Sequence, residues 1–176
     1  MQSIKVWDPL VRVFHWSLVA AFATAWLTAD EWQSVHEVAG YGVMGLIAFR
    51  LVWGLVGSRY ARFRQFVRPP AATLGYLNEV CHRREKRYLG HNPAGAAMVL
   101  ALLAGLSLLT LSGWLYVTDA GGDWLEDVHE FIANALLGLV GLHIAGVIFT
   151  GLRHRENLIK SMFTGTKRPP DGDDVA

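Results

Sequence analysis

This sequence is poor in charge and almost without cysteine. Only 18% of its 176 residues are Asp, Glu, Lys or Arg, against 52% hydrophobic. A soluble domain of this size usually carries more charge. The single cysteine, Cys81, excludes an internal disulfide and any multi-cysteine metal or iron–sulfur site. It sits in a polar loop and reads as an incidental thiol. A formal charge of +1 says little by itself, but two stretches of chain have no Lys or Arg at all, and that absence sets the topology.

Long apolar runs are what the chain has in place of charge. They extend from Val13 to Ala29, His36 to Val56, Ala94 to Thr118 and His129 to Leu152. A helix that spans the hydrocarbon needs about 20 residues, within a range of about 17 to 25, and all four runs fit. Barrel strands would be about half as long. The expected fold is therefore all-α, an integral membrane four-helix bundle. Lys5 and Arg12 ahead of the first run, and Ala-Thr-Ala near its end, also suit a signal peptide. Three further spans follow, so a retained first helix is the simpler reading.

Sixteen Lys and Arg residues are present. Lys5 and Arg12 precede the first span, eight lie between the second and third, and five follow the fourth; Arg50 alone lies within a span. The other two loops carry Asp30, Glu31, Asp119, Asp123, Glu126 and Asp127 instead. Positive charge marks the cytoplasmic side, which puts both termini and the long middle loop in the cytoplasm. Beside the membrane these cations predict lipid contact and no nucleic-acid partner. Ala71 to Arg87 is expected either as a surface helix, with Leu74 and Leu77 towards the lipid and Arg83 to Arg87 among headgroups, or as a solvated basic loop. Residues 1–165 form one four-span unit, and 166–176 (Arg-Pro-Pro-Asp-Gly-Asp-Asp at its centre) read as a disordered cytoplasmic tail.

The halves weakly repeat. Trp32-Gln-Ser-Val-His36-Glu37 opens the second span and Trp124-Leu-Glu-Asp-Val-His129-Glu130 the fourth. Fourteen residues beyond His36 stands Arg50, and the same step from His129 reaches His143. Both helix pairs run the same way, so the repeat axis would lie along the membrane normal.

Four of the seven histidines, His15, His36, His129 and His143, lie in or at the edge of spans. Ionisable groups there default to a functional reading. His36 and His129 stand at the outer ends of their helices. His15 and His143 lie about 22 and 24 Å below the acidic loops, at about 1.5 Å per residue. The four make an outer and an inner level. A flat macrocycle needs an axial nitrogen on each side of its iron, and histidines on facing helices supply that. The pairing expected is His36 with His129 and His15 with His143, each holding the iron of one b-type haem. Gly40, Gly42 and Gly45 on the second span, and Gly138 and Gly141 on the fourth, would let a broad ring approach the backbone, or would serve close helix packing. Arg50 needs a partner within the membrane, which a haem propionate would supply; Arg12, one turn before His15, is a second candidate cation or else a headgroup anchor. His82 and His91 are expected in solvent, and His154 lies too deep to face His15. A histidine-lined proton or metal-ion path without haem is the alternative, and it would need polar residues between the levels. On the fourth helix Ala133, Leu136 and Val140 stand there instead.

Trp7-Asp8-Pro9-Leu10-Val11-Arg12-Val13-Phe14-His15-Trp16, then His36, Gly40-Tyr41 and Phe49-Arg50-Leu51-Val52-Trp53-Gly54, resemble prokaryotic cytochrome b561. That larger family includes the cytochrome b subunits of nickel–iron hydrogenases. The likeness covers about residues 5 to 165 and implies a diheme, quinone-linked electron carrier with His15, His36, His129 and His143 as ligands. A very short first outer loop and the lack of a fifth span depart from the hydrogenase subunits. The function expected is electron transfer between the quinone pool and a periplasmic redox protein. Quinone-dependent superoxide oxidation, known in a branch of the family, is the alternative. An anionic substrate prefers a positive funnel, so the acidic outer loops favour a partner with a basic face, such as a c-type cytochrome.

Overall fold

The computed structural model describes residues 3–175. Four long helices dominate it: α1 (Pro9–Thr28), α2 (Gln33–Val56), α5 (Pro93–Val117) and α6 (Trp124–Arg153). They coincide with the four apolar runs, extended by a turn or so at some ends. At about 1.5 Å per residue, the 20 residues of α1 are long enough for the hydrocarbon. Large apolar side chains stay bare along the spans, among them Val13, Leu27, Leu55, Phe131, Leu142 and Leu152. In water such exposure would be costly; against lipid tails it is not. The protein is a multi-pass membrane protein.

Local chemistry explains where the spans begin. Asp8 accepts a hydrogen bond from the Val11 amide at 2.9 Å, Asn92 accepts one from the Gly95 amide at 2.7 Å, and each is followed by a proline at the first helical position. A side-chain acceptor satisfies an orphan amide, and proline has no amide to orphan.

In packing order the spans run α1, α2, α5, α6. Among the described residues no packed seam closes α6 back onto α1 or α2. The buried core joins Phe14, Val43, Ile47, Leu103, Leu106, Leu109 and Leu136 from all four helices.

The smaller elements gather where α1 begins and α6 ends. They are α3 (Phe63–Phe66), α4 (Pro70–Cys81), α7 (Leu158–Thr164) and a two-stranded antiparallel ribbon of β1 (Ile4–Lys5) and β2 (Thr166–Lys167). Gly165 makes the turn from α7 into β2 at φ 79°, a left-handed conformation that a Cβ would strain.

Three expectations need correction at this end. Composition predicts a disordered tail from 166, yet Thr166–Lys167 pair with the N-terminus and Val175 bridges to Tyr88. The surface helix ends at Cys81 rather than Arg87. It buries Tyr76 while Leu74 and Leu77 stay exposed, as a lipid-facing stripe would. Arg87 is not among headgroups: it is buried, bonded to Glu156 at 2.7 Å and also to Asp174. Burial raises both carboxyls, but hydrogen bonds (from Arg87 to both, and from the Asp171 amide to Asp174) outweigh it and hold each below its ordinary range.

Candidate functional site

The outer histidines meet. The rings of His36 and His129 lie 6.0 Å apart between centroids, with planes at 76°. Each ring is fixed by the backbone of a neighbouring helix. His36 Nδ1 lies 2.8 Å from the Ala25 carbonyl of α1, and His129 Nδ1 lies 3.0 Å from the Leu109 carbonyl of α5. A carbonyl only accepts, so both Nδ1 atoms carry the proton and both Nε2 lone pairs are free to ligate. This is the arrangement by which metal-ligating histidines are oriented. Ser112 Oγ, 3.2 Å from His129 Nδ1, strengthens the second anchor. Gly113 leaves room for that ring, since a Cβ there would fall 2.9 Å from His129 Cε1.

The inner pair is arranged differently. Among the described aromatic contacts His15 does not meet His143; its ring stands edge-on to Trp16 at 5.0 Å, and its Nδ1 is buried without a partner. His143 is half-buried on α6. Arg50 is 4% exposed, donates to the Ala61 carbonyl at 3.0 Å and lies 4.9 Å over the Phe63 ring. One of its nitrogens, Nη1, is buried and unpartnered. Arg12 donates to the Phe163 carbonyl, which ties α1 to α7, and leaves its Nε unpartnered.

The glycines divide into two sets. A Cβ on Gly40, Gly42, Gly45, Gly138 or Gly141 would meet nothing within 4 Å. These residues do not serve close helix packing; they border open space on the faces of α2 and α6. Close packing belongs to Gly105, where a Cβ would come 2.8 Å from Leu136 of α6.

A b-type haem fits this donor set. Two metal–imidazole bonds of about 2 Å each, added to the half-widths of two rings, give a centroid separation of about 6 Å. The outer pair has that separation, and neither Nε2 has a hydrogen-bond partner among the described residues; Gly40, with nothing within 4 Å of an added Cβ, lies one turn along α2 from His36. Between the levels lies the apolar layer of Val43, Leu106 and Leu136, not the polar chain that a proton or metal path would require.

The model of the family described as prokaryotic cytochrome b561 matches residues 6–165. The chain belongs to the prokaryotic cytochrome b561 family. Membership implies transmembrane electron transfer through haem b. Among its relatives is a probable Ni/Fe-hydrogenase B-type cytochrome subunit of Bradyrhizobium diazoefficiens. It is 23% identical, over 94% of this chain and 86% of the relative. One of the same description from Rhizobium leguminosarum bv. viciae is 25% identical, over 98% and 92%. No solved structure matches significantly.

Some contributors to this cytochrome b561 site left no mark in the sequence. Ser112 and Gly113 sit on α5, the span without a histidine, and the Ala25 and Leu109 anchors are main-chain atoms. His91 is the opposite case: expected in solvent, it is wedged between Trp7 at 4.8 Å and Phe66 at 4.6 Å.

Proposed function

We propose that this cytochrome b561 holds two b-type haems, one between His36 and His129 and one between His15 and His143. On this reading it carries electrons between the quinone pool and a periplasmic redox protein across a bacterial inner membrane. The outer histidine pair carries the proposal, because its spacing and its backbone anchors suit axial ligation.

When bound, haem b supplies a one-electron iron couple at each level. The residues of the chain do the rest. The carbonyls of Ala25 and Leu109 hold two imidazoles in the ligating tautomer before any iron arrives, which lowers the ordering cost of binding. Gly40 and Gly141 keep the backbone faces clear. Arg50 and Arg12 offer unpartnered nitrogens near the inner level, suited to propionates. Val43, Leu106 and Leu136 keep water from the layer between levels. A crossing of about 30 Å is thereby divided in two. With Lys and Arg absent from the outer loops, Asp30, Glu31, Asp119, Asp123, Glu126 and Asp127 form an acidic rim. All six are exposed, as docking of a basic partner such as a c-type cytochrome would require.

The test is haem per chain by pyridine haemochrome on detergent-purified protein, followed by reduction with a quinol and reoxidation by a basic c-type cytochrome. Two b haems per chain, and a transfer rate to the cytochrome that falls steeply with salt, are expected. One haem would sink the two-level reading, and a salt-independent rate would sink the acidic docking rim.

A further inference from the structure

Among the described residues, two cations are buried at the inner end with no carboxylate held by them alone. Arg50 makes one bond, to a carbonyl, and leaves Nη1 unpartnered. Lys167 is 6% exposed, and its ammonium lies 3.7 Å from Glu156 and 5.6 Å over the Trp7 ring. Glu156 is already bound at 2.7 Å by Arg87, so one carboxylate serves two buried cations. Arg87 also has Asp174 and is satisfied; Lys167 and Arg50 are not. A buried cation lacking full compensation is costly.

Between these two stands His91, with its Nδ1 shielded and unpartnered. An aromatic floor runs beneath all three heads: Phe63 lies under Arg50 and 5.8 Å from Phe66, Phe66 is 4.6 Å from His91, and His91 is 4.8 Å from Trp7, under Lys167. Burial, followed by the fields of Arg50, Lys167 and His143, pushes the His91 imidazole down to about 3. It is therefore neutral at ordinary pH, with one ring nitrogen available to donate. Arg50, Lys167 and His143 thus all lie near enough to His91 to act on its charge. The two carboxylates whose fields reach these cations are already engaged elsewhere: Asp8, towards Arg50, by Ser58, Trp53 and the Val11 amide, and Glu156, towards Lys167, by Arg87.

We infer that Lys167, His91 and Arg50 form a carboxylate pocket that takes the propionates of the inner haem, with the C-terminal strand β2 delivering one of its two cations. The inference rests on the His15–His143 reading of the inner haem and adds two residues to it. A lipid phosphate has the same anionic oxygens, but only a propionate couples the pocket to a haem iron. A cation beside a propionate favours the reduced iron electrostatically, so removing it must lower the potential of that haem and spare the other.

The experiment is a potentiometric titration of Lys167→Met, with haem per chain counted alongside and Lys167→Arg as the charge-retaining control. Glu156 keeps Arg87 in both variants, so the cap retains its main ion pair. The expected result is two haems retained, one potential unmoved and the other lowered. The lowered one should show a roughly tenfold change in its reduction equilibrium, about 59 mV for a one-electron couple, restored by Lys167→Arg. Loss of one haem from Lys167→Met but not from Lys167→Arg would support the pocket equally. Two retained haems with neither potential moved would overturn it and leave a lipid phosphate as the anion; equal shifts in both would overturn it as a general loosening. A wild-type protein with fewer than two haems would instead sink the two-haem reading itself.

Discussion

At the outer end of the bundle His36 and His129 face each other, each ring pinned by a main-chain carbonyl of the next helix. At the inner end His15 has no such anchor. There the chain folds α3, α7 and the β1–β2 ribbon over the helix ends, bringing Arg50, His91 and Lys167 together. Loop length explains the difference. Four residues join α1 to α2 and six join α5 to α6, too few to build a cover, so orientation at the outer end falls to the backbone. The 36 residues between α2 and α5, with the segment after α6, supply side chains at the other end. One end achieves order through preformed hydrogen bonds, the other through charge and packing.

The hardest blow to this contrast is removal of a ligand. His129→Ala should remove one whole haem per chain and leave the other, whose spectrum and potential should stay near wild type. Loss of both haems would show that the two ends do not fold independently around their cofactors. Next in size is Arg87→Met, which leaves Glu156 and Asp174 short of their shared cation. Truncating one partner of a buried ionic cluster costs about 3 kcal/mol, and detergent melting should show it as loss of the inner end first. The same cluster predicts an acid response. Glu156 and Asp174 are depressed in the folded state, so their stabilising contribution is complete above their ordinary values of 4.5 and 3.8. It is lost as pH falls below those values and through the folded ones. Melting that stays flat from pH 7 to 5 and then drops would fit; a drop already above pH 5 would not.

The glycines give a smaller, sharper test of open against packed. Gly105→Val drives a side chain into Leu136 and should cost about 1–3 kcal/mol of stability. A Cβ at Gly141 meets nothing within 4 Å, so Gly141→Val should leave melting unchanged and reduce haem content instead. If both lowered stability alike, the gap beside Gly141 would be filled by helix packing.

What was legible in the sequence follows the same division. The four spans were plain because an apolar run has one stable fate in lipid, and the outer level because His36 and His129 repeat in register beside Trp and Glu. The anchors of those rings were not legible, since Ala25 and Leu109 act through carbonyls that any residue has. At the inner end, composition misled. Arg-Pro-Pro-Asp-Gly-Asp-Asp reads as disorder when taken alone, and its order depends on Arg87 of the 57–92 loop, which binds Asp174. His91 read as solvated because it sits in the basic 57–92 loop; the aromatic rings that enclose it come from residues 7 and 66, far away in sequence.

The smallest effect belongs to Ser112. Its hydroxyl donates to the Leu109 carbonyl at 2.9 Å and turns its lone pairs towards His129 Nδ1 at 3.2 Å, so the imidazole proton is shared between two acceptors. Ser112→Ala removes one of them and leaves the carbonyl, 3.0 Å away, to hold the tautomer. The loss should be about 1 kcal/mol, visible as a modest fall in melting temperature with outer haem content intact. The ferric low-spin resonance of that haem should broaden as the ring gains freedom about its remaining bond. If Ser112→Ala emptied the outer level, the hydroxyl rather than the backbone would be the true anchor, and the contrast between the two ends would shrink to one side chain.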